Sequence, residues 1–182
     1  MPYAQESILE KSKEPPAGSS DEPPSRTGIR PARVSDLAQI EVLEKRSFTS
    51  DRFSSRTLRA LATRPSSEMW VADCAGQVMG YAATLFRSNS SVARVYGLCV
   101  AQAARGRGIG RKLLSKAEKG ARRRGCRAIR LEVRSDNRAA LALYKASRYA
   151  PIRALPGYYA DGCDGIRLQK TLVHSPQQGR KP

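Results

Sequence analysis

Histidine occurs once in this chain, at His174 near the C-terminal end. A Ser-His-Asp or Cys-His centre is therefore disfavoured, since its base would lie beyond the last patterned segment. The four cysteines, at 74, 99, 126 and 163, form no Cys-x-x-Cys pair. A zinc centre needs clustered ligands, so no metal is expected and buried free thiols are the better reading. No apolar run approaches the roughly 18 residues that span a bilayer. The opening MPYAQESILEKSKEPP lacks the basic-then-apolar order of a secretory signal. These absences point to a cytoplasmic protein with no membrane partner.

Acidic residues are also scarce outside one segment. Residues 1–27 hold Glu6, Glu10, Glu14, Asp21 and Glu22 against Lys11, Lys13 and Arg26. The chain carries +17, so the remainder carries +19. Such a field attracts anions of many kinds without choosing one. The same first segment is rich in Pro, Ser, Glu and Lys, and cannot bury enough apolar surface to offset its ordering entropy. It is expected to be a disordered tail. A single domain is expected over 28–173, with a flexible C-terminal tail at 174–182.

Within that domain the patterning alternates. IRPA reads as a short strand. SDLAQIEVLEKRSF reads as a helix with Ser35 as its N-cap, and SSRTLRALATR as a second helix that stops before Pro65. EMWVADCAGQVMGYAATLFR reads as a hairpin turning at AGQ, and SVARVYGLCV as a further strand. Next comes AARGRGIGRK, which holds three glycines and four bases in ten positions. It leads into a helix whose apolar stripe is Leu113, Leu114, Ala117 and Ala121. RAIRLEVR is a strand with Ile129, Leu131 and Val133 on one face and Arg130, Glu132 and Arg134 on the other. SDNRAALALYKASRY is a helix. PIRAL and DGIRLQKTLV are the last strands, joined by PGYYADGC. Strand, glycine turn, helix and parallel strand make a βαβ crossover, and the flanking hairpins make the sheet mixed. The fold class is α/β, or α+β in stricter usage.

Glycines between a strand and a helix let backbone N–H groups converge on an anion, and the helix dipole adds to this. Arg105, Arg107 and Arg111 can pair with phosphate oxygens. The Walker pattern fails because no Lys-Ser or Lys-Thr follows, and the dinucleotide fingerprint fails because the glycines are 106, 108 and 110. The spacing Arg105-x-x-Gly108-x-Gly110 resembles the signature of the GNAT acetyltransferases. The strand, loop and helix of LCVAQAARGRGIGRKLLSKAEKGARRRG, and IRLEVRSDNRAALALYKASRY after them, are similar to that family's. GYYADGCDG resembles the late loop of peptide N-terminal acetyltransferases, close to the RimI-like ribosomal-protein-alanine enzymes.

That resemblance implies a GNAT fold and acetyl-CoA as donor. Arg105, Gly106, Arg107, Gly108, Ile109, Gly110 and Arg111 would hold its pyrophosphate. Backbone groups at Leu98 and Val100, and the side chain of Asn137, would hold the pantetheine arm; Asn137 as a plain helix cap competes with that role. Glu132 would be the general base and Tyr144 the acid that protonates the departing thiolate. Alternatively Glu132 is an ion-pair partner of Arg130 or Arg134, and Tyr144 a core aromatic. Tyr158 and Tyr159 would line the entrance for a peptide. The acceptor implied is the α-amine of a protein or peptide N-terminus, with lysine side chains or small amines as alternatives. The usual Leu-Gly-Phe after the second helix reads Ser147-Arg148-Tyr149 here, and the usual Asp-Ala of the late loop reads Asp164-Gly165. A reading of another class treats residues 105–124, with nine bases against Glu118, as a nucleic-acid surface without catalysis. Ribosome association is compatible with either.

Overall fold

The computed structural model describes residues 27–48 and 52–172. The tail expected over 1–27 falls outside these residues apart from Thr27; the expected C-terminal tail and His174 fall wholly outside. Seven strands form one sheet in the order β1-β2-β3-β4-β5-β7-β6. They are β1 (Gly28–Pro31), β2 (Ser67–Cys74), β3 (Gln77–Leu85), β4 (Val92–Val100), β5 (Ala128–Arg134), β6 (Ala150–Leu155) and β7 (Gly165–Thr171). Four helices accompany them: α1 (Leu37–Ser47), α2 (Ser55–Thr63), α3 (Ile109–Arg123) and α4 (Arg138–Ala146).

Local chemistry accounts for most element ends. The β2–β3 hairpin turns at Ala75 and Gly76, with φ of 50° and 84°. Two left-handed residues give the turn whose twist matches the flanking strands. Asp73 Oδ1 accepts from the Gly76 N–H at 2.9 Å and fixes it. Ser54 caps α2 by accepting from the Thr57 N–H. Ser35 does not cap α1. It lies inside a 3-10 turn, Val34–Asp36, that precedes the helix. Asp36 organises this start instead, accepting from the Arg33 N–H at 2.7 Å and from both Nη atoms of Arg30 at 2.8 Å. A carboxylate that meets a guanidinium fork and a backbone donor is held more firmly than a serine hydroxyl would be.

Apolar groups bury on both faces of the sheet. One cluster joins α3 and α4 to the sheet through Leu113, Leu114, Ile129, Leu131, Val133 and Tyr144. The apolar stripe of α3 is fully enclosed here, each leucine stabilising by about 2 kcal/mol. The other cluster joins α1 and α2 to β2, β3 and β4 and contains no residue of β5, β6 or β7. That half of the second face is left without a helix among the described residues. Of the four cysteines, Cys99 and Cys126 are buried, while Cys74 and Cys163 are only half-buried, short of the full burial expected.

One irregularity sets up the site. β4 and β5 run parallel and pair only from Val92–Ala128 to Arg94–Arg130. Beyond that both strands continue, but apart. On the other side of β4 the register with β3 slips, so that Ala83 faces Gly97 while Thr84 faces Val95. Tyr96 is the extra residue, and a bulge of this kind bends its strand. Gly97 follows because no side chain fits: a Cβ there would lie 2.6 Å from the Phe53 ring.

Phe53 is tied down by a buried acid. Glu44, 1% exposed, accepts from the Phe53 N–H at 2.7 Å and from the Tyr81 hydroxyl at 2.6 Å. Burial pushes the Glu44 carboxyl up to about 7, against the pull of these two hydrogen bonds. The native state therefore keeps a proton that the unfolded chain releases near 4.5. This contribution is fully present below about pH 4.5 and is lost as pH rises through about 7. We expect the difference in stability between the parent and Glu44→Gln, from urea melts at a series of pH values, to fall by on the order of 3 kcal/mol across that window and then level off. A flat difference would remove Glu44 as a native-state proton site.

Candidate active site

The parting of β4 and β5 opens a cavity of about 370 Å³ on the α3–α4 side. Leu98, Cys99 and Val100 supply one wall, the glycine-rich turn and the start of α3 a second, and Asn137, Ala139, Ala140 and Leu143 a third. Ligands of sheets with parallel strands bind in such a crevice beyond the carboxyl ends of the strands. A wider hollow of about 600 Å³ lies along α1 and α2, but none of its lining residues belongs to the sheet.

The turn has the geometry of an anion cradle. Gly106 and Gly108 take φ of 76° and 72°, in the region open to glycine. Gly108 is the N-cap of α3. The first intrahelical bond comes only at the Lys112 N–H, so the N–H groups of Ile109, Gly110 and Arg111 have no acceptor within the helix. Gly110 has a different task. A Cβ there would meet Leu143 at 3.2 Å, with Val100 and Leu98 close behind. Its bareness lets the start of α3 pack directly on α4 and β4. Arg105 Nε donates to the Val100 carbonyl at 3.3 Å across the cavity mouth.

Of the ten residues predicted to hold the donor, nine line this cavity; Arg107 is exposed and does not. Cys99, Ala104, Ala139, Ala140 and Leu143 also line it and were missed. The helical period could have flagged Ala140 and Leu143, three and six residues beyond Asn137. Asn137 does cap α4, its Oδ1 accepting from the Ala140 N–H at 3.1 Å, and it faces the cavity as well. Tyr144 does not line the cavity. It is buried one helical turn beyond Ala140, with its ring 5.6 Å from that of Tyr149.

Glu132 lies on the opposite face of the sheet, two residues beyond the last β4–β5 pair. It is 2% exposed. Its ion-pair partners are not Arg130 or Arg134, as its own strand suggested. Arg94 of β4 donates from Nε to Oε2 at 2.8 Å, and Arg167 of β7 donates from Nε to Oε1 at 2.8 Å. Arg167 is the register partner of Glu132 across β5–β7, and Arg94, whose register partner is Arg130, reaches Glu132 diagonally along its long side chain. Arg134 instead pairs with Asp136 and Asp161.

Aromatic groups surround this carboxylate. Arg94 Nη2 donates to the Tyr158 hydroxyl at 3.3 Å, and its guanidinium lies 5.5 Å from the Tyr96 ring. Tyr96 stacks on Phe53 with centroids 5.1 Å apart. Burial first, then the Glu132 carboxylate, raise the Tyr158 phenol above its usual range. Tyr158 is half-buried, whereas Tyr159 is buried beneath the Arg134 guanidinium. Of the predicted pair, Tyr158 therefore offers the accessible surface. The Asp164-Gly165 variation also has a local cause. Asp164 Oδ1 accepts from the Gly157 N–H, and a Cβ on Gly165 would crowd the Tyr158 ring at 3.1 Å.

The acetyltransferase (GNAT) family model matches residues 35–147, more than half of the chain. The chain belongs to the GNAT acetyltransferase family. An uncharacterized N-acetyltransferase of Methanocaldococcus jannaschii is 32% identical over 143 residues, covering 78% of this chain and 90% of that protein. A putative ribosomal protein bS18-alanine N-acetyltransferase of Bacillus subtilis is 25% identical over 149 residues, covering 81% and 97%. Among solved structures, the ribosomal-protein-S18-alanine N-acetyltransferase of Escherichia coli matches with a TM-score of 0.74 at 22% identity, covering 84% of this chain and 98% of that one. The GNAT enzyme described here is an acyltransferase with acetyl-CoA as its donor. The reading as a nucleic-acid surface without catalysis is thereby overturned. No helix among the described residues is long and apolar enough to cross a membrane.

Acetyl-CoA should raise the melting temperature of this GNAT protein, because it binds only the folded state. Gly108→Glu should remove that shift while circular dichroism stays unchanged. Retention of the full shift would show that the cradle at Gly108 is not the phosphate site.

Proposed function

We propose that this enzyme acetylates the α-amine of a protein or peptide N-terminus, in the manner of ribosomal-protein-alanine acetyltransferases. The observation that carries the reading is the buried Glu132 carboxylate beyond the strand split, on the face opposite the cavity. Donor and acceptor would approach from the two faces and meet in the gap between β4 and β5. The names of the Bacillus and Escherichia proteins support the same acceptor class.

The cavity fits the donor chemically. Its glycine turn offers N–H groups for a pyrophosphate, with Arg105 and Arg111 beside them. Leu98 and Val100 would orient the pantetheine arm and the thioester through their backbone groups, with Asn137 opposite. Glu132 would take the amine proton, directly or through a water. An α-amine has a pKa of about 7.7–8.0 against about 10.4 for lysine, so much more of it is neutral near pH 7. A carboxylate base suffices for such an acceptor. Attack on the thioester carbonyl forms the amide bond and breaks the C–S bond. Tyr144, one turn beyond Ala140 on α4, would then give its proton to the leaving thiolate.

The direct experiment is mass spectrometry of a peptide library incubated with enzyme and acetyl-CoA. Label on α-amines is the expected result; label confined to lysine side chains would overturn the reading. Glu132→Gln should depress the rate most at low pH, with partial recovery as the amine deprotonates near pH 8. A variant with the parent's rate at every pH would take Glu132 out of the mechanism.

A further inference from the structure

The half of the sheet that α1 and α2 leave uncovered carries an unusual arrangement of charge. Register places Arg94 beside Arg130 across the β4–β5 pair, and Arg153 opposite Arg167 across the β6–β7 pair. Like charges in neighbouring register positions destabilise a sheet. This sheet does it twice, on one face, around a single carboxylate. Glu132 takes one nitrogen from Arg167 and is shared with Arg94. Arg167 makes no other hydrogen bond, so both of its Nη atoms remain available among the described residues. Arg153 is exposed and has no ion-pair partner there, and the Arg130 Nε is buried without a partner. The other nearby arginine, Arg134, is already matched by Asp136 and Asp161. Two guanidinium groups thus meet one carboxylate, with Arg130 and Arg153 at the register positions beside them, next to the position proposed for the acceptor amine.

We infer that the acceptor is an acidic N-terminal segment, with carboxylates in the first few positions after its α-amine. The inference rests on the N-terminal reading above and gives it a substrate class. An extended peptide advances about 3.3 Å per residue. With its amine at Glu132, its second to fourth residues would run over β7 and β6, within reach of Arg167 and Arg153. A carboxylate there would accept from the Arg167 Nη atoms and relieve the repulsion between the two arginines. A basic segment would add to that repulsion. Glu132 is already shared by two arginines, and Arg153 beyond them leaves the surroundings positive for the rest of the peptide.

The test uses three peptides with the same first residue and Asp-Asp, Ser-Ser or Lys-Lys at positions two and three, at saturating acetyl-CoA. A charge-assisted hydrogen bond supports a preference of about tenfold in kcat/KM for the Asp-Asp peptide over the Ser-Ser peptide. The Lys-Lys peptide should be slowest, and the spread should narrow as salt is raised from about 0.05 to 0.5 M. Arg153→Glu, at an exposed position, should erase most of the preference while acetyl-CoA still raises the melting temperature. Equal rates on all three peptides, or a preference for Lys-Lys, would overturn the acidic acceptor and leave the N-terminal reading standing. Acetylation of none of them, with lysine side chains or small amines modified instead, would overturn both.

Discussion

The candidate site in this sheet follows from two parallel strands that stop pairing. A continuous ladder between β4 and β5 would satisfy their backbone groups and leave no space at the centre of the sheet. The extra residue at Tyr96 turns β4 aside after Arg94. The bare Cα of Gly97 allows the Phe53 ring to pack against the bent strand. Glu44 in turn holds the Phe53 backbone. The gap is thus braced from α1 through a buried hydrogen-bonded acid.

Electrostatics divides between the two sides of the gap. On the cavity side the positive field comes from the first turn of α3 together with Arg105 and Arg111, which line the cavity. On the other side it comes from side chains of β4 and β7 gathered onto Glu132. Backbone donors suit a ligand that is always the same. Long guanidinium side chains suit one whose sequence varies. The like-charged pairs across β4–β5 and β6–β7 are tolerated because the rest of the sheet is well buried, with Ile129, Leu131 and Val133 enclosed beneath them.

The sequence revealed what is local and periodic. The α3 stripe, the hairpin at Ala75–Gly76 and the alternation along β5 were all legible, since each depends on residues a few positions apart. The glycine turn ahead of α3 was legible because glycine spacing has a direct backbone meaning. The partners of Glu132 were not, because Arg94 and Arg167 are 38 and 35 residues away and only strand order brings them together. Ser35 misled for a related reason: the residue beside it, Asp36, had a long-range partner in Arg30 that outweighed local capping preference. The split itself carried one faint signal, a glycine in the middle of SVARVYGLCV, whose cause lay in the distant Phe53.

The outermost strand offers a last consequence. Among the described residues β6 pairs with β7 on one side only, and its register skips a residue between Pro151 and Arg153. An open strand edge is a template on which further chains can add. Here Pro151 lacks an amide hydrogen, the skip at Ile152 interrupts the repeat, and Arg153 would meet the arginine of any identical strand laid beside it. Arg153 and its neighbours therefore guard the sheet against polymerising through its own border.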